Sequence, residues 1–415
     1  MAYKESTNNK QTCSFCQRSR RDVAKLVVSQ DVSICNICID MVHDLLHKEG
    51  DAELKPKSKS VKIPEPTVLK EMLDFVVIGQ DQAKIALSVA VHNHYKRILK
   101  KTKTQVDKSN VLLLGGTGTG KTLLARTIAE LLDVPFVIGD ATTLTQSGYV
   151  GDDAESLLSR LLQAADDDVE RAEHGIIFID EIDKLASKVE SNNSGRDISG
   201  EGVQQALLKM LEGSDVRVPV ESTRRLMSSD TEVIINTTNI LFICSGAFVG
   251  LEKIMQRSKG SNIGFSGKVE KTVGAFNLVK PQDIIKYGLI PELVGRLPVL
   301  THTNPLSKAD LIRVLTEPTN SLLSQYQCLF DPVKLNFTED ALDLLVSQAI
   351  ADSTGARGLR GQLDKILTPL QFRISSEKTG TVSSVLVNKN VVTGTGEPLI
   401  TFKKIAPRVK NEQKT

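Results

Sequence analysis

A single strand-to-helix turn constrains this chain more than any other feature. Gly115-Gly116-Thr117-Gly118-Thr119-Gly120-Lys121-Thr122 satisfies G-x-x-x-x-G-K-T, with the apolar run Val111 to Leu114 before it and helical periodicity after it. The glycines let backbone N–H groups curl around phosphate oxygens, and the helix that follows adds its positive N-terminal end. Lys121 is placed to reach the β- and γ-phosphates of ATP and Thr122 to coordinate Mg²⁺, with Leu123 completing the nucleotide-contacting run. The alternative is a glycine-rich turn that holds nothing.

A phosphate loop needs acid groups nearby, because Mg²⁺ takes a carboxylate and the attacking water must be oriented. Gly175-Ile176-Ile177-Phe178-Ile179-Asp180-Glu181 supplies both: a buried strand presents Asp180 to the metal and leaves Glu181 to polarise water. The plainer reading is that the two acids cap a strand end. Asp183 and Lys184 read as surface charges or an ion pair.

From Thr67 to Leu300 short apolar runs alternate with helical periodicity, which predicts an α/β fold, a parallel sheet covered by helices. Strands are expected at Val111 to Leu114, Pro135 to Ile138, Ile176 to Asp180 and Ile240 to Cys244. After Leu300 the pattern becomes mainly helical. Ser307 to Asp310 reads as a capping box, Pro318 as a helix breaker, and Leu342, Leu345, Val346 and Ala349 as one helical face. The expected organisation is a small module at 1–50, a Lys- and Pro-rich tether at 51–66, a large ATPase domain at 67–300, a smaller domain at 301–402 and a basic tail at 403–415.

The first module carries Cys13-x-x-Cys16 and Cys35-x-x-Cys38, the spacing of a four-thiolate tetrahedral Zn²⁺ site. About fifty residues bury too little apolar surface to be secure alone, and metal binding supplies folding free energy. Four thiolates close the shell, so the zinc is structural and His43 and His47 are helix-surface residues. The alternative is a redox pair of C-x-x-C motifs. Cys244 and Cys328 read as buried small apolar groups.

Composition narrows the partners. No Trp, 4% aromatics and a net charge of +2 offer little for base stacking or phosphate-backbone attraction, which weighs against nucleic acid. No window approaches the ~20 apolar residues of a membrane span, and Met1 to Lys10 is polar rather than a signal peptide. A cytoplasmic protein, or an organellar one in a eukaryote, with no membrane partner is expected.

Taken together, GGTGTGKT, IDEIDK, LIPELVGRLP and TGARGLR resemble the AAA+ ATPases. VIGQDQAK at Val77 to Lys84, GYVGDD at Gly148 to Asp153, SGEGVQQALLKMLEG at Ser199 to Gly213 and IGF at Ile263 to Phe265 narrow the likeness to the unfoldases that serve ClpP-type peptidases. The resemblance covers nearly the whole chain. It implies an AAA+ P-loop domain, a small C-terminal domain and a zinc module, in a homohexamer whose zinc modules dimerise and receive substrates and adaptors.

The resemblance also implies roles. Val77 and Ile78 pack near the adenine, although by the residues alone two aliphatics there are more at home in a core. Arg296 resembles the arginine finger that reaches a neighbouring subunit's nucleotide; the alternative is an i, i+4 ion pair with Glu292. Arg357 resembles the sensor-2 arginine, with Arg360 as its rival, and Ser245 lies near sensor 1. Tyr149 and Val150, mounted between Gly148 and Gly151, resemble a pore loop that grips unfolded polypeptide, and Arg196 in ESNNSGRDISG a second pore loop. The bland reading of Tyr149 is an aromatic folded back on its own domain.

Ile263-Gly264-Phe265, apolar in a polar segment, resembles the tripeptide that docks into clefts on the ClpP ring; otherwise it anchors a long loop. The family's Arg-Lys-His loop is not spelled out, and only Arg217 and Arg224-Arg225 stand in that region. The expected function is ATP-driven unfolding and translocation of polypeptide into a ClpP peptidase, by a chain with no protease nucleophile motif of its own. The alternatives are an AAA+ nucleic-acid remodeller and a nucleotide-gated zinc adaptor without turnover.

Overall fold

The computed structural model describes residues 12–16, 18–29, 32–39, 63–99, 106–145, 152–186, 200–219, 232–258, 278–352, 355–376 and 382–402. The chain divides into two compact units, Met1–Lys62 and Ile63–Thr415. In the first, strands β1 (Leu26–Ser29) and β2 (Val32–Cys35) form an antiparallel ribbon with Leu26 opposite Cys35. Its core is small: buried Cys13, Cys35 and Cys38, flanked by Cys16, Val23, Leu26 and Ile34.

The second unit is built on a parallel sheet of five strands. These are β3 (Val111–Leu114), β4 (Phe136–Asp140), β5 (Ile176–Asp180), β6 (Leu241–Gly246) and β7 (Val299–His302), in the order β7-β3-β6-β5-β4. Successive side chains on a strand face opposite ways, and here both faces are covered. Val111, Leu113, Ile176, Phe178, Leu241 and Ile243 join the core that includes helices α1 (Pro66–Asp74), α2 (Asp81–Leu99) and α3 (Lys121–Leu132). Leu112, Leu114, Ile177, Ile179, Phe242 and Cys244 join the opposite core with α4 (Ser156–Ala164) and α5 (Glu201–Glu212). This explains why these strands read as continuous apolar runs with no alternation.

Two predicted strands shift by a residue or two, to Phe136–Asp140 and Leu241–Gly246. The fifth strand, β7, was invisible because Val299-Leu300-Thr301-His302 is short and half polar; it pairs with β3 and puts Leu300 inside the sheet instead of at a domain edge. A hairpin, Asp215–Pro219 with Glu232–Asn236, runs into the turn Thr237–Asn239 ahead of β6. That turn is held by three donors: Lys108 Nζ to the Thr237 carbonyl at 2.8 Å, Arg97 Nη2 to Thr238 at 3.0 Å and His94 Nε2 to Asn239 at 2.9 Å.

A third core lies beyond. Helices α6 (Lys308–Thr316), α7 (Leu322–Phe330), α8 (Glu339–Ala351) and α9 (Gly355–Ser376) bury Leu311, Leu315, Tyr326, Leu345, Val346, Ala349, Leu359 and Leu363. Ser307 and Asp310 form the expected capping box, and α6 ends before Pro318. The region is not purely helical: β8 (Lys334–Phe337), β9 (Val382–Val387) and β10 (Leu399–Phe402) make a three-stranded sheet. Cys328 corrects its reading, since it is exposed on α7, whereas Cys244 is fully buried.

Candidate functional site

Because all five strands run parallel, the ends of β3, β5, β6 and β7 open on one edge, where a doubly covered sheet leaves room for a ligand. The register aligns Leu114 with Gly246 and with His302, so the residues after each strand meet at the phosphate loop. Gly115, Gly118 and Gly120 have φ of 148°, 77° and 94°, conformations a side chain resists. At Gly115 a Cβ would lie 2.0 Å from Thr303 Oγ1.

Lys121 is buried, and its Nζ donates to the carbonyls of Gly115 (2.7 Å) and Gly116 (3.0 Å). Burial lowers its pKa and the charge of Arg357 adds to this, against the pull of Asp180, Asp183 and Glu181. Thr122 Oγ1 lies 3.4 Å from Asp180 Oδ2. The other oxygen of Asp180 accepts from Ser245 Oγ at 2.5 Å and from the Glu181 amide at 3.0 Å. One carboxylate oxygen is thus fixed and the other faces the threonine, an arrangement fit for a hard cation that prefers oxygen ligands. Glu181 is exposed beside it with φ of 56°, a strained setting for a glutamate at the end of a strand.

Asp183 overturns its reading as a surface charge. It is buried and accepts from the amides of Ala247 (3.2 Å) and Phe248 (3.1 Å), clamping the end of β6 to the turn after β5, while Lys184 is exposed. Val77 and Ile78 are both buried, and a Cβ on Gly120 would lie 3.8 Å from Val77 Cγ1. Only Val77 of the two joins the core behind the sheet. The Val77 carbonyl accepts from buried Lys84 Nζ at 2.6 Å, and the same ammonium pairs with Asp74 at 2.6 Å.

The C-terminal core reaches this edge through α9. Gly355, at φ 56°, packs its Cα side against Thr117 and Gly118, with the Thr117 carbonyl 3.4 Å from a notional Cβ. Arg357 is exposed in the first turn of that helix, close enough for its charge to act on Lys121. Arg360 instead lies near Tyr326 of its own domain, close enough to act on the phenol that donates to Asp364. Arg296 is exposed after the short helix Pro291–Gly295 and pairs with Glu212, Nη2 at 2.7 Å and Nε at 3.0 Å from Oε1, rather than with Glu292.

In the N-terminal unit all four cysteine sulfurs lie within 4.8 Å of one another, with Cys13–Cys38 at 3.9 Å and Cys16–Cys35 at 3.6 Å. A tetrahedron with metal–sulfur bonds of ~2.3 Å has edges of about 3.8 Å, so the donor set fits zinc. Cys35 N–H points at the Cys13 sulfur and Cys38 N–H at that of Cys35. Burial opposes ionisation of Cys13, but amides of Cys16, Cys35 and Phe15 bring its pKa down to about 6. Cys38, hydrogen-bonded to the Cys16 sulfur, buried and beside the Cys13 charge, is pushed up to about 12. The cluster sheds a first proton readily and resists losing the last until a cation shares the charge.

Three family models match in order: the ClpX C4-type zinc finger over residues 11–48, the AAA domain (Cdc48 subfamily) over 106–300, and the C-terminal, D2-small domain of ClpB protein over 306–387. An ATP-dependent Clp protease ATP-binding subunit ClpX of Borrelia duttonii is 48% identical over 402 residues, 94% of this chain and 92% of that protein. The chain belongs to the ClpX family. Similar proteins of the same name occur in Bacteroides fragilis, 47% identical over 388 residues (90% of this chain, 93% of that one), and Treponema denticola, 46% over 392 (92% and 93%).

Membership in the ClpX family agrees with the AAA+ sheet, the C-terminal core and the four-cysteine cluster. Tyr149, Val150, Arg196, Arg224, Arg225, Ile263, Gly264, Phe265, His43 and His47 lie outside the described residues. Among the described residues, no helix is long and apolar enough to cross a membrane. Sequence reasoning missed Gln80, Asp183, Thr303 and Asn304 at the site. Gln80 stood in the quoted VIGQDQAK block, but nothing local marks Thr303, whose partner Thr119 is 184 residues away.

Proposed function

We propose that the chain is the ATP-hydrolysing subunit of a Clp protease, unfolding polypeptides and passing them to a ClpP-type peptidase. The observation that carries the chemistry is the facing pair Thr122 and Asp180, with Ser245 fixing the second oxygen of the carboxylate. Residues Gly115 to Leu123 cradle ATP, Lys121 leaves its carbonyl partners for the β- and γ-phosphates, and Val77 and Ile78 border the adenine. Thr122 and Asp180 would hold Mg²⁺, which would supply positive charge to offset that of the phosphates. Glu181 accepts a proton from the water that attacks the γ-phosphorus as its bond to the ADP oxygen breaks. Arg357 senses that phosphate from the same subunit, and Arg296 serves a neighbour in a homohexamer once freed from Glu212.

The work is assigned to segments outside the described residues. Tyr149 and Val150 grip substrate, Arg196 touches it in passing, and Ile263, Gly264 and Phe265 dock on the peptidase. Cys13, Cys16, Cys35 and Cys38 hold a structural Zn²⁺ whose module dimerises and receives substrates and adaptors. The setting is cytoplasmic, and the large domain, 67–300, is followed by the smaller one, 301–402. A tagged, stably folded reporter tests this: ATP-dependent loss of the reporter only when a ClpP peptidase is added supports the reading. ATPase activity that responds to DNA and leaves the reporter folded would favour the nucleic-acid remodeller.

A further inference from the structure

One side-chain amide joins three distant parts of the ATPase unit. Gln80 is 6% exposed and has φ of 62°, a left-handed setting that aims the side chain under the phosphate loop. Its Nε2 donates to the Thr119 carbonyl at 3.2 Å and to the Asn304 carbonyl at 2.8 Å, and its Oε1 accepts from the Asn304 amide at 2.7 Å. Both amide hydrogens and the carbonyl are used, which fixes the group in one orientation. A second contact runs in parallel: Thr303 Oγ1 lies 2.6 Å from Thr119 Oγ1, and the Thr303 amide donates to the Leu114 carbonyl at 2.7 Å.

The three parts have different duties. Gln80 follows the Val77-Ile78 segment, Thr119 belongs to the phosphate loop, and Asn304 stands three residues before Ser307, the cap of the first helix of the C-terminal core. That core carries Arg357 back to the phosphate loop through α9. When loop N–H groups turn to a phosphate, their carbonyls turn away and need donors; Gln80 supplies one at Thr119. The loop and Asn304 thus share one side chain, with no strand of the sheet between them. We propose that Gln80 is a positioning residue that couples phosphate occupancy to the C-terminal domain through Asn304, and so sets how well Arg357 engages ATP. This rests on the reading of Arg357 as the phosphate-sensing arginine.

Gln80→Met keeps the length and removes all three hydrogen bonds; Thr303→Val keeps the shape and removes the hydroxyl contact. In the full-length protein, Gln80→Met is expected to raise the Kd for a fluorescent ATP analogue about tenfold, the scale of one or two lost buried hydrogen bonds. Thr303→Val should raise it a few-fold in the same direction, and it stands in if Gln80→Met does not fold. The decisive readout is a double-mutant cycle with Arg357→Ala. If the clasp acts through the C-terminal domain, the double variant is no weaker than the weaker single one. Additive losses would mean that Gln80 only braces the loop locally, and would overturn the coupling. Unchanged affinity in both clasp variants beside a weakened Arg357→Ala would remove the clasp alone. Unchanged affinity in Arg357→Ala would remove the arginine's assignment and the route that ends on it.

Discussion

Glu181 and Asp180 are neighbours in sequence with opposite constraints. Asp180 has one oxygen tied to Ser245 and the Glu181 amide, while Glu181 sits exposed on a left-handed backbone. Glu181→Gln should leave nucleotide binding intact and slow hydrolysis about 10³-fold, the usual range for a lost general base; steady-state turnover beside equilibrium ATP binding checks both halves. A second residue reports on pH. His94 is buried, donates to the Asn239 carbonyl through Nε2, and among the described residues has no partner for a proton on Nδ1. Burial, with the charges of Arg97 and Lys108, brings its pKa down to about 3.

Between its ordinary value near 6.5 and about 3, the unfolded chain binds a proton that the folded chain lacks, so folding stability falls as pH falls. Chemical denaturation of the wild type and His94→Gln should show the wild type losing about 1 kcal/mol relative to the variant from pH 7 to 5.5. A constant difference would rule out His94 as the source. At this scale the sequence was readable where chemistry repeats in a local motif, as in Lys121, Thr122 and Asp180. It was silent where a polar side chain such as Asp183 or Gln80 owes its burial to partners 39 to 224 residues away.

Among elements, the buried strands announced themselves because both faces are covered, and β7 did not because it is an edge strand with two polar residues. The helix caps at Ser307 and Thr338 were local signals, the first of them legible in the sequence. The zinc ribbon is the opposite case, where four residues outweigh all others. Its described apolar material amounts to three buried cysteines and a few half-buried neighbours, so its order depends on the metal. A strong chelator should unfold this module and leave the ATPase unit's basal turnover in place. Released zinc and new protease cuts within the first 40 residues are the readouts; resistance to cleavage after zinc loss would contradict the structural role. Rebinding should weaken in acid, since Cys38 keeps its proton up to about 12 until a cation replaces it.

For the whole molecule, the Arg296–Glu212 pair lies on the surface that the proposed ring would set against another copy. Both side chains are about half exposed, so the pair contributes little to stability and costs little to exchange. Arg296→Ala should keep ATP binding in its own site and slow hydrolysis next door. Mixing Arg296→Ala subunits with Glu181→Gln subunits should restore turnover at junctions that join an intact Glu181 to an intact Arg296. No recovery at any mixing ratio would place the arginine's action within its own subunit. The turn Thr237–Asn239 carries a different consequence, a mechanical one. Lys108, Arg97 and His94 fasten it to α2 and the approach to β3 just where the hairpin meets β6. A pull on the hairpin would therefore meet three side-chain hydrogen bonds at this root before it reached Ser245 near the far end of β6.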